Sequence, residues 1–478
     1  MSLILKFPQI MENSYALYEA KKAAAEAVPF LCRQEIRAAG KPLPKAGEEN
    51  ILALGDNLDF MDHLIKDRSL AGKVQMVYID PPFFTKANYG AEIKLNAKAG
   101  VKIPAMKQKA YKDTWENGME DYLTMLAVRF LFIKDLLAAD GCLWVHLDHH
   151  AVHYVKILLD EIFGEKNFIN EVVWNYKSGG VSKRSFARKH DTLLFYAKGP
   201  KYYFKAQQEK SYNRGFKPYR FKGVKEYRDE MGWYTMVNRK DVWSLDMVGR
   251  TSSERTGYVT QKPESLVNRI LESCTRPGDL CADFFCGSGT MAAAAESMGR
   301  RWIACDIGRL AAVNTHKRMV NAGASYDFYE SKTEAEDTRE QGTVQVKASL
   351  EALPLSDKKA LKVELLGYTP ATLENIPVEE KYLPVIRTVL KEDSTALVDF
   401  WSVELRSGAA ESAPGGPEAA APNSAAAAPA SRPQACFCRD GKGLTLVYET
   451  LGEEFFPITV KAVDIFGNSG ITVIDQPE

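Results

Sequence analysis

The chain predicts an α/β protein built on a mostly parallel, Rossmann-like sheet. Three observations carry that expectation. Short apolar segments alternate with amphipathic segments of about 10–15 residues, the pattern of βαβ units. A glycine-rich bend, Asp283-Phe284-Phe285-Cys286-Gly287-Ser288-Gly289-Thr290, falls between a strand-like and a helix-like segment. An acidic diproline segment, Asp80-Pro81-Pro82-Phe83, closes the apolar run VQMVYI.

The elements follow in order. Residues 12–39 are Ala-rich and read as helix. Val74–Ile79 reads as a strand, Glu120–Leu137 as a helix, Cys142–Leu147 as a strand and His149–Phe163 as a helix. Beyond an irregular basic region, Pro263–Cys274 reads as helix, Leu280–Phe284 as strand, Thr290–Met298 as helix, Arg301–Asp306 as strand and Arg309–Met319 as helix. Arg406–Pro433 is dominated by Ala, Pro, Ser and Gly, too poor in apolar surface to order itself, and reads as a linker. Around it, Lys347–Leu366, Ala396–Val403, Leu444–Glu449, Phe456–Ile465 and Ile471–Ile474 are β-like, with Gly467-Asn468 as a turn. The expected organisation is a helical lead-in (1–48), a first half of the α/β domain (49–173), an insert (174–250), a second half (251–325), and a β-rich C-terminal domain (326–478) carrying the linker 406–433.

Composition excludes several classes. Hydrophobic residues make up 45% and charged residues 26%, as in globular proteins. No apolar run reaches the roughly 18 residues of a membrane span, and the N-terminus lacks a signal peptide's features, so a cytoplasmic protein is expected. Eight cysteines in 478 residues make no disulfide framework. Cys281 and Cys286 lack CxxC spacing, and no metal site is expected. Zero net charge hides an asymmetry. Residues 177–228 hold 15 Lys or Arg against 3 Asp or Glu, whereas residues 331–478 hold 14 against 23. A basic segment beside an acidic tail suggests a polyanion site with a separate module attached.

The glycine bend lets backbone approach a ligand closely, and the helix after it offers free N–H groups. Gly287-x-Gly289-x-x-Ala292 also fits a dinucleotide fingerprint, so a NAD-dependent dehydrogenase is a competing reading. Asp306, ending the next strand, suits ribose hydroxyls in either case. DPPF discriminates. Two prolines stiffen the chain and remove two donors. Asp80 and a proline carbonyl can then both accept from one exocyclic amino group, and Phe83 offers a face on which a base stacks.

DPPF upstream of DFFCGSGT resembles the DNA amino-methyltransferases of the β class, which act on adenine N6 or cytosine N4 and include modification subunits of type III restriction systems. Leu54-Gly55-Asp56-Asn57-Leu58, Tyr111-Lys112-Asp113-Thr114-Trp115, Asp140–Asp148 and Gly257–Pro263 resemble further motifs of that family in its order, over about residues 50–322. The resemblance implies S-adenosylmethionine as cofactor, held by Asp56, Thr260, Gln261, Lys262, Asp283, Phe285, Cys286, Gly287, Ser288, Gly289 and Asp306. It implies catalysis by Asp80, Pro81, Pro82 and Phe83 on a flipped base, with Tyr111 and Trp115 as further stacking surfaces. Asp at the first motif position favours adenine; cytosine N4 and RNA are the alternatives. The tail resembles an immunoglobulin-like β module.

The resemblance makes 174–250 the target-recognition insert on double-stranded DNA. Its cations Lys177, Lys183, Arg184, Arg188, Lys189, Arg214, Lys217 and Arg220 interleave with aromatics from Tyr176 to Phe221, including Phe195 and Tyr196. A restriction subunit and a second copy of the chain are the protein partners it suggests.

Overall fold

The computed structural model describes residues 2–38, 44–45, 47–86, 88–93, 106–177, 181–332, 342–352, 359–371, 380–405, 433–438, 445–450 and 457–476. The linker 406–433 lies almost wholly outside them. Among the described residues no helix is long and apolar enough to cross a membrane.

Ten strands form the central sheet: β1 (Phe30–Ile36), β2 (Asn50–Leu54), β3 (Val74–Ile79), β4 (Leu137–Leu147), β5 (Phe168–Asn175), β6 (His190–Ala197), β7 (Val242–Ser244), β8 (Leu280–Asp283), β9 (Arg301–Asp306) and β10 (Tyr326–Ser331). Their spatial order is β1-β10-β2-β9-β8-β3-β4-β6-β5-β7. From β10 to β4 every neighbour is parallel; β1 and β6 run against the rest. The expected mostly parallel sheet is therefore present.

Helices cover both faces, as a parallel sheet requires. α1 (Leu3–Ala23), α2 (Asn57–Lys66), α3 (Met119–Leu136) and α4 (Val152–Phe163) share one core with the sheet, in which Leu126, Phe130, Ile133, Val155 and Leu159 are buried. α5 (Glu264–Cys274) and α6 (Thr290–Ser297) pack on the other face around Leu266, Ile270, Met291 and Trp302. α7 (Arg309–Asn321) follows β9.

Two sequence expectations change. The helix read over 12–39 ends at Ala23, and Phe30–Ile36 is a sheet strand, antiparallel to β10. Alanine content suited a helix, but β10 supplies hydrogen bonds that local propensity cannot reveal. Within the insert, β6 and β7 join β5 in extending the main sheet, and Gln208–Tyr212, Glu226–Asp229 and Gly232–Asn238 form a small sheet of their own. Phe195 and Tyr196, read among the DNA-facing aromatics, point into the core at 1% and 0% exposure.

The C-terminal module is a two-sheet β-sandwich. Thr343–Ala352, Lys359–Thr369 and Thr445–Thr450 form one antiparallel sheet. Pro433–Cys438, Val398–Leu405, Ile458–Asp464 and Ser469–Ile474 form the other. Val363, Leu365, Trp401, Val403 and Val460 fill the core between them. Lys317 of α7 pairs with Asp399 at 2.7 Å, and Gln34 of β1 bonds Ser402 at 2.5 Å, docking the module on the α/β domain.

Candidate active site

Neighbouring parallel strands end at one rim, and the sheet's register brings the two key motifs together there. Ala282 of β8 pairs with Val77 of β3, so the two strands end side by side, one running into Asp80 and the other into the glycine bend. This is the carboxyl edge where α/β sheets hold ligands.

Asp80 sits at the end of β3, largely buried. Its Oδ2 accepts a 2.5 Å hydrogen bond from Lys262 Nζ, whose ammonium also lies 4.9 Å over the Phe83 ring. Its Oδ1 is buried and has no hydrogen-bond partner among the described residues. A buried carboxylate oxygen gains free energy when it meets a donor. The Pro82 carbonyl takes the Tyr122 hydroxyl at 2.7 Å, leaving the Pro81 carbonyl as the corner's other acceptor.

Beyond the prolines the chain is strained. Phe84 has φ +64°, unusual for a residue with a side chain. The buried Asp113 carboxylate holds this turn, accepting from Phe84 N at 3.2 Å, Thr85 N at 2.6 Å and Trp115 Nε1 at 3.1 Å. Trp115 thus braces the turn, edge-on to Tyr122 at 5.3 Å. The side chain of Tyr111 lies outside the described residues.

Under Phe83 lies a buried polar chain. His146 of β4, 5.8 Å from Phe83 by ring centroids, contacts the Tyr78 hydroxyl at 2.9 Å and Asp191 of β6 at 3.2 Å. Tyr176 also donates to Asp191. Burial works to raise the Asp191 pKa, yet His146, Lys262 and Tyr176 together hold it below the usual carboxylate range.

The glycine bend is shaped by close packing. Gly287 and Gly289 have φ +50° and +71°. A Cβ on Gly289 would fall 2.7 Å from the Thr315 side chain, so only glycine fits. Gly287 N donates to Asp306 Oδ2 at 2.9 Å, and Gly308 N donates to Oδ1 at 2.8 Å. Burial pushes the Asp306 carboxyl up against those two donors. Burial, with the nearby charges of Asp80 and Asp306, pushes Asp283 well up too, although Phe285 N donates to it. Cys286 is buried beside Thr315, and the Ser288 hydroxyl meets that of Thr290 at 3.2 Å. Phe285 lies against the α1–α4 core.

Asp56 caps α2, accepting from Leu58 N at 2.7 Å. The buried guanidinium of Arg129 grips the same carboxylate at 2.9 and 3.1 Å and reaches the neighbouring Asn57. Burial works to lower the Arg129 pKa and Asp56 works against it. Asn57 in turn donates to the Phe284 carbonyl at 2.6 Å, joining α2 to the bend.

The rim thus gathers Asp80, Phe83, Lys262, Asp283, Gly287 and Asp306. Gln261 is differently employed: its amide bonds Thr256 N and the Glu254 carbonyl within its own loop. Thr260, on the same loop, is half-buried. Lys183, Arg184 and Arg188 are exposed on the β5–β6 loop, with Phe186 99% exposed among them. Lys177 is exposed beside Asp246, and Lys189 bonds the Lys177 carbonyl. Arg214, Lys217 and Arg220 are exposed next to the small sheet.

Sequence reasoning missed Tyr122, Arg129, His146 and Asp191. Arg129 had a signal, a lone cation inside the apolar helix MLAVRFLFI. His146 and Asp191 come from strands 45 residues apart in the chain, and nothing local joins them.

A family of DNA methylases, of the N6 and N4 type, matches residues 74–312. The chain is 27% identical over 317 residues to the type II methyltransferase M.EcaI of Enterobacter cloacae, covering 54% of this chain and 67% of that one. It is 26% identical over 203 residues to the EcoP15I Mod subunit of an Escherichia coli type III restriction-modification enzyme, covering 40% and 31%. These matches span from about a third to two thirds of those relatives' own lengths. Among solved structures, the M1.HpyAVI–SAM complex aligns with TM-score 0.36 and 17% identity over 56% of this chain and 98% of that one. With half the chain matched, from the strand before DPPF through the first turn of α7, this protein belongs to the N6/N4 DNA methylase family.

Proposed function

We propose that the chain methylates the exocyclic amino nitrogen of a base extruded from duplex DNA, adenine N6, using S-adenosylmethionine. The observation that carries this reading is the buried Oδ1 of Asp80, which has no hydrogen-bond partner among the described residues. It is an acceptor open to an N–H donor, at the end of the strand that pairs with the one leading into the glycine bend.

The residues suit that cofactor. Gly287 and Gly289 present backbone without side chains, and each Asp306 oxygen takes one backbone N–H, leaving lone pairs for ribose hydroxyls. S-adenosylmethionine supplies an electrophilic sulfonium methyl. Asp80 Oδ1 and the Pro81 carbonyl accept the two amino hydrogens, which orients the nitrogen lone pair towards that methyl. Phe83 stacks on the base, and Asp80 stabilises the positive charge that develops on nitrogen. In-line placement supplies most of the acceleration. Flipping costs a few kcal/mol, which stacking and backbone contacts offset. The exposed cations of the insert supply the phosphate contacts. Asp at the first position of the motif supports adenine over cytosine.

The test is methyl transfer from labelled S-adenosylmethionine to unmethylated duplex DNA, with matched RNA beside it and nucleoside analysis of the product. Label in N6-methyladenine, lost about 100-fold or more in Asp80→Ala, is the expected result. Label in N4-methylcytosine would correct the base, label in RNA alone the substrate, and a fully active Asp80→Ala would overturn the catalytic assignment.

A further inference from the structure

The position of Lys262 is that of a substrate. On the reading just proposed, the target amine must donate to Asp80 and lie against Phe83. The Lys262 ammonium does both, 2.5 Å from Asp80 Oδ2 and 4.9 Å over the Phe83 ring. Asp80 Oδ1 is left open to the base, but the ammonium holds the place over the Phe83 ring. A base that stacks on Phe83 needs that place, so Lys262 must move before the base is seated.

The structure also limits where it can go. The Lys262 backbone carbonyl accepts from the Thr290 hydroxyl at 3.0 Å, so its stem starts at the first turn of α6, directly after the glycine bend. From there a lysine side chain can swing along the rim. Asp283 is pushed up by burial and by the charges of Asp80 and Asp306, against the pull of Lys262 itself. Asp191 already takes His146 and Tyr176. A desolvated ammonium needs an anion, and on the cofactor reading above the α-carboxylate of S-adenosylmethionine supplies one.

We propose that Lys262 is a placeholder for the target base, drawn off Asp80 and the Phe83 ring by the cofactor's carboxylate, so that cofactor binding clears the face on which the base stacks. Lys262 is then a positioning residue that couples the two sites. The inference rests on the cofactor reading above, and its consequence needs no DNA. Asp80 competes with the cofactor for Lys262, so removing Asp80 strengthens cofactor binding, and only while Lys262 is present.

The experiment is a double-mutant cycle on the full chain, with S-adenosylhomocysteine binding read by calorimetry in wild type, Asp80→Ala, Lys262→Met and the double variant. Asp80→Asn repeats the cycle should Asp80→Ala fail to fold. Asp80→Ala is expected to bind about five-fold or more tighter than wild type, and the gain to vanish in the Lys262→Met background. Unchanged or weaker binding in Asp80→Ala, or an equal gain in both backgrounds, overturns the placeholder role while leaving the cofactor reading intact. Absence of binding to wild type overturns both.

Discussion

The Tyr122 hydroxyl, carried on α3, donates a 2.7 Å hydrogen bond to the carbonyl of Pro82. A helix from one face of the sheet thereby holds the acidic diproline corner from behind. Burial pushes the Tyr122 pKa far up, so the phenol stays a neutral donor. Tyr122→Phe leaves the Pro82 carbonyl short of a partner, at about 1–3 kcal/mol. The expected outcome is a fall of about ten-fold in kcat with S-adenosylhomocysteine affinity unchanged. Steady-state kinetics beside calorimetry checks it, and a parallel loss of both would refute the local effect.

Gly289→Ala tests the bend. The new methyl would meet Thr315 at 2.7 Å in a backbone of φ +71°. Strain of about 1–3 kcal/mol is expected, seen as a lower Tm and weaker S-adenosylhomocysteine binding. Adding Thr315→Ala should recover part of both; no recovery would show that the backbone angle alone is responsible.

Replacing Lys183, Arg184 and Arg188 together by Ser probes the exposed β5–β6 loop. Each lost phosphate contact lowers the slope of log affinity against log salt by about 0.9. Duplex binding titrated at several salt concentrations should therefore show a slope shallower by nearly three such steps. An unchanged slope would remove this loop from the DNA surface.

The C-terminal module carries its own pH response. Burial pushes Asp464 up to about 6, against the lowering effect of Asn468, Phe466 N and Tyr368. The folded pKa lies above the ordinary aspartate value of 3.8, so between those values the folded state holds more protons than the unfolded state. Stability conferred by Asp464 is thus full below about pH 4 and falls as pH rises through about 6. Hydrogen exchange on Ile458–Asp464 should show the advantage of wild type over Asp464→Asn shrinking across that range. A constant difference would contradict the assignment.

Much of the fold was legible because its signals are local. VQMVYI, RRWIACD and the helix around Met119–Leu136 announce themselves by apolar runs or by period, and the structure places them within a few residues. The places of Asp80, Gly287 and Asp306 at or just past strand ends were legible for a related reason: each follows an apolar run in consecutive residues. Phe30–Ile36 was not, because its partner β10 lies some 300 residues away along the chain. Phe195 was misread because an alternating basic and aromatic stretch looks the same whether its rings face solvent or, as here, stack on Trp144 at 4.3 Å.

By itself, then, the order of residues determined the α/β class, the two motifs at strand ends and the kind of chemistry they suit. Tertiary structure alone decided that Asp80 buries one oxygen with no partner among the described residues, that Lys262 occupies the other, and that Arg129 and His146 pack behind the corner and the bend. The physical reason is range. Propensity and periodicity act over one element, whereas burial and ion pairing depend on which distant elements the sheet brings side by side.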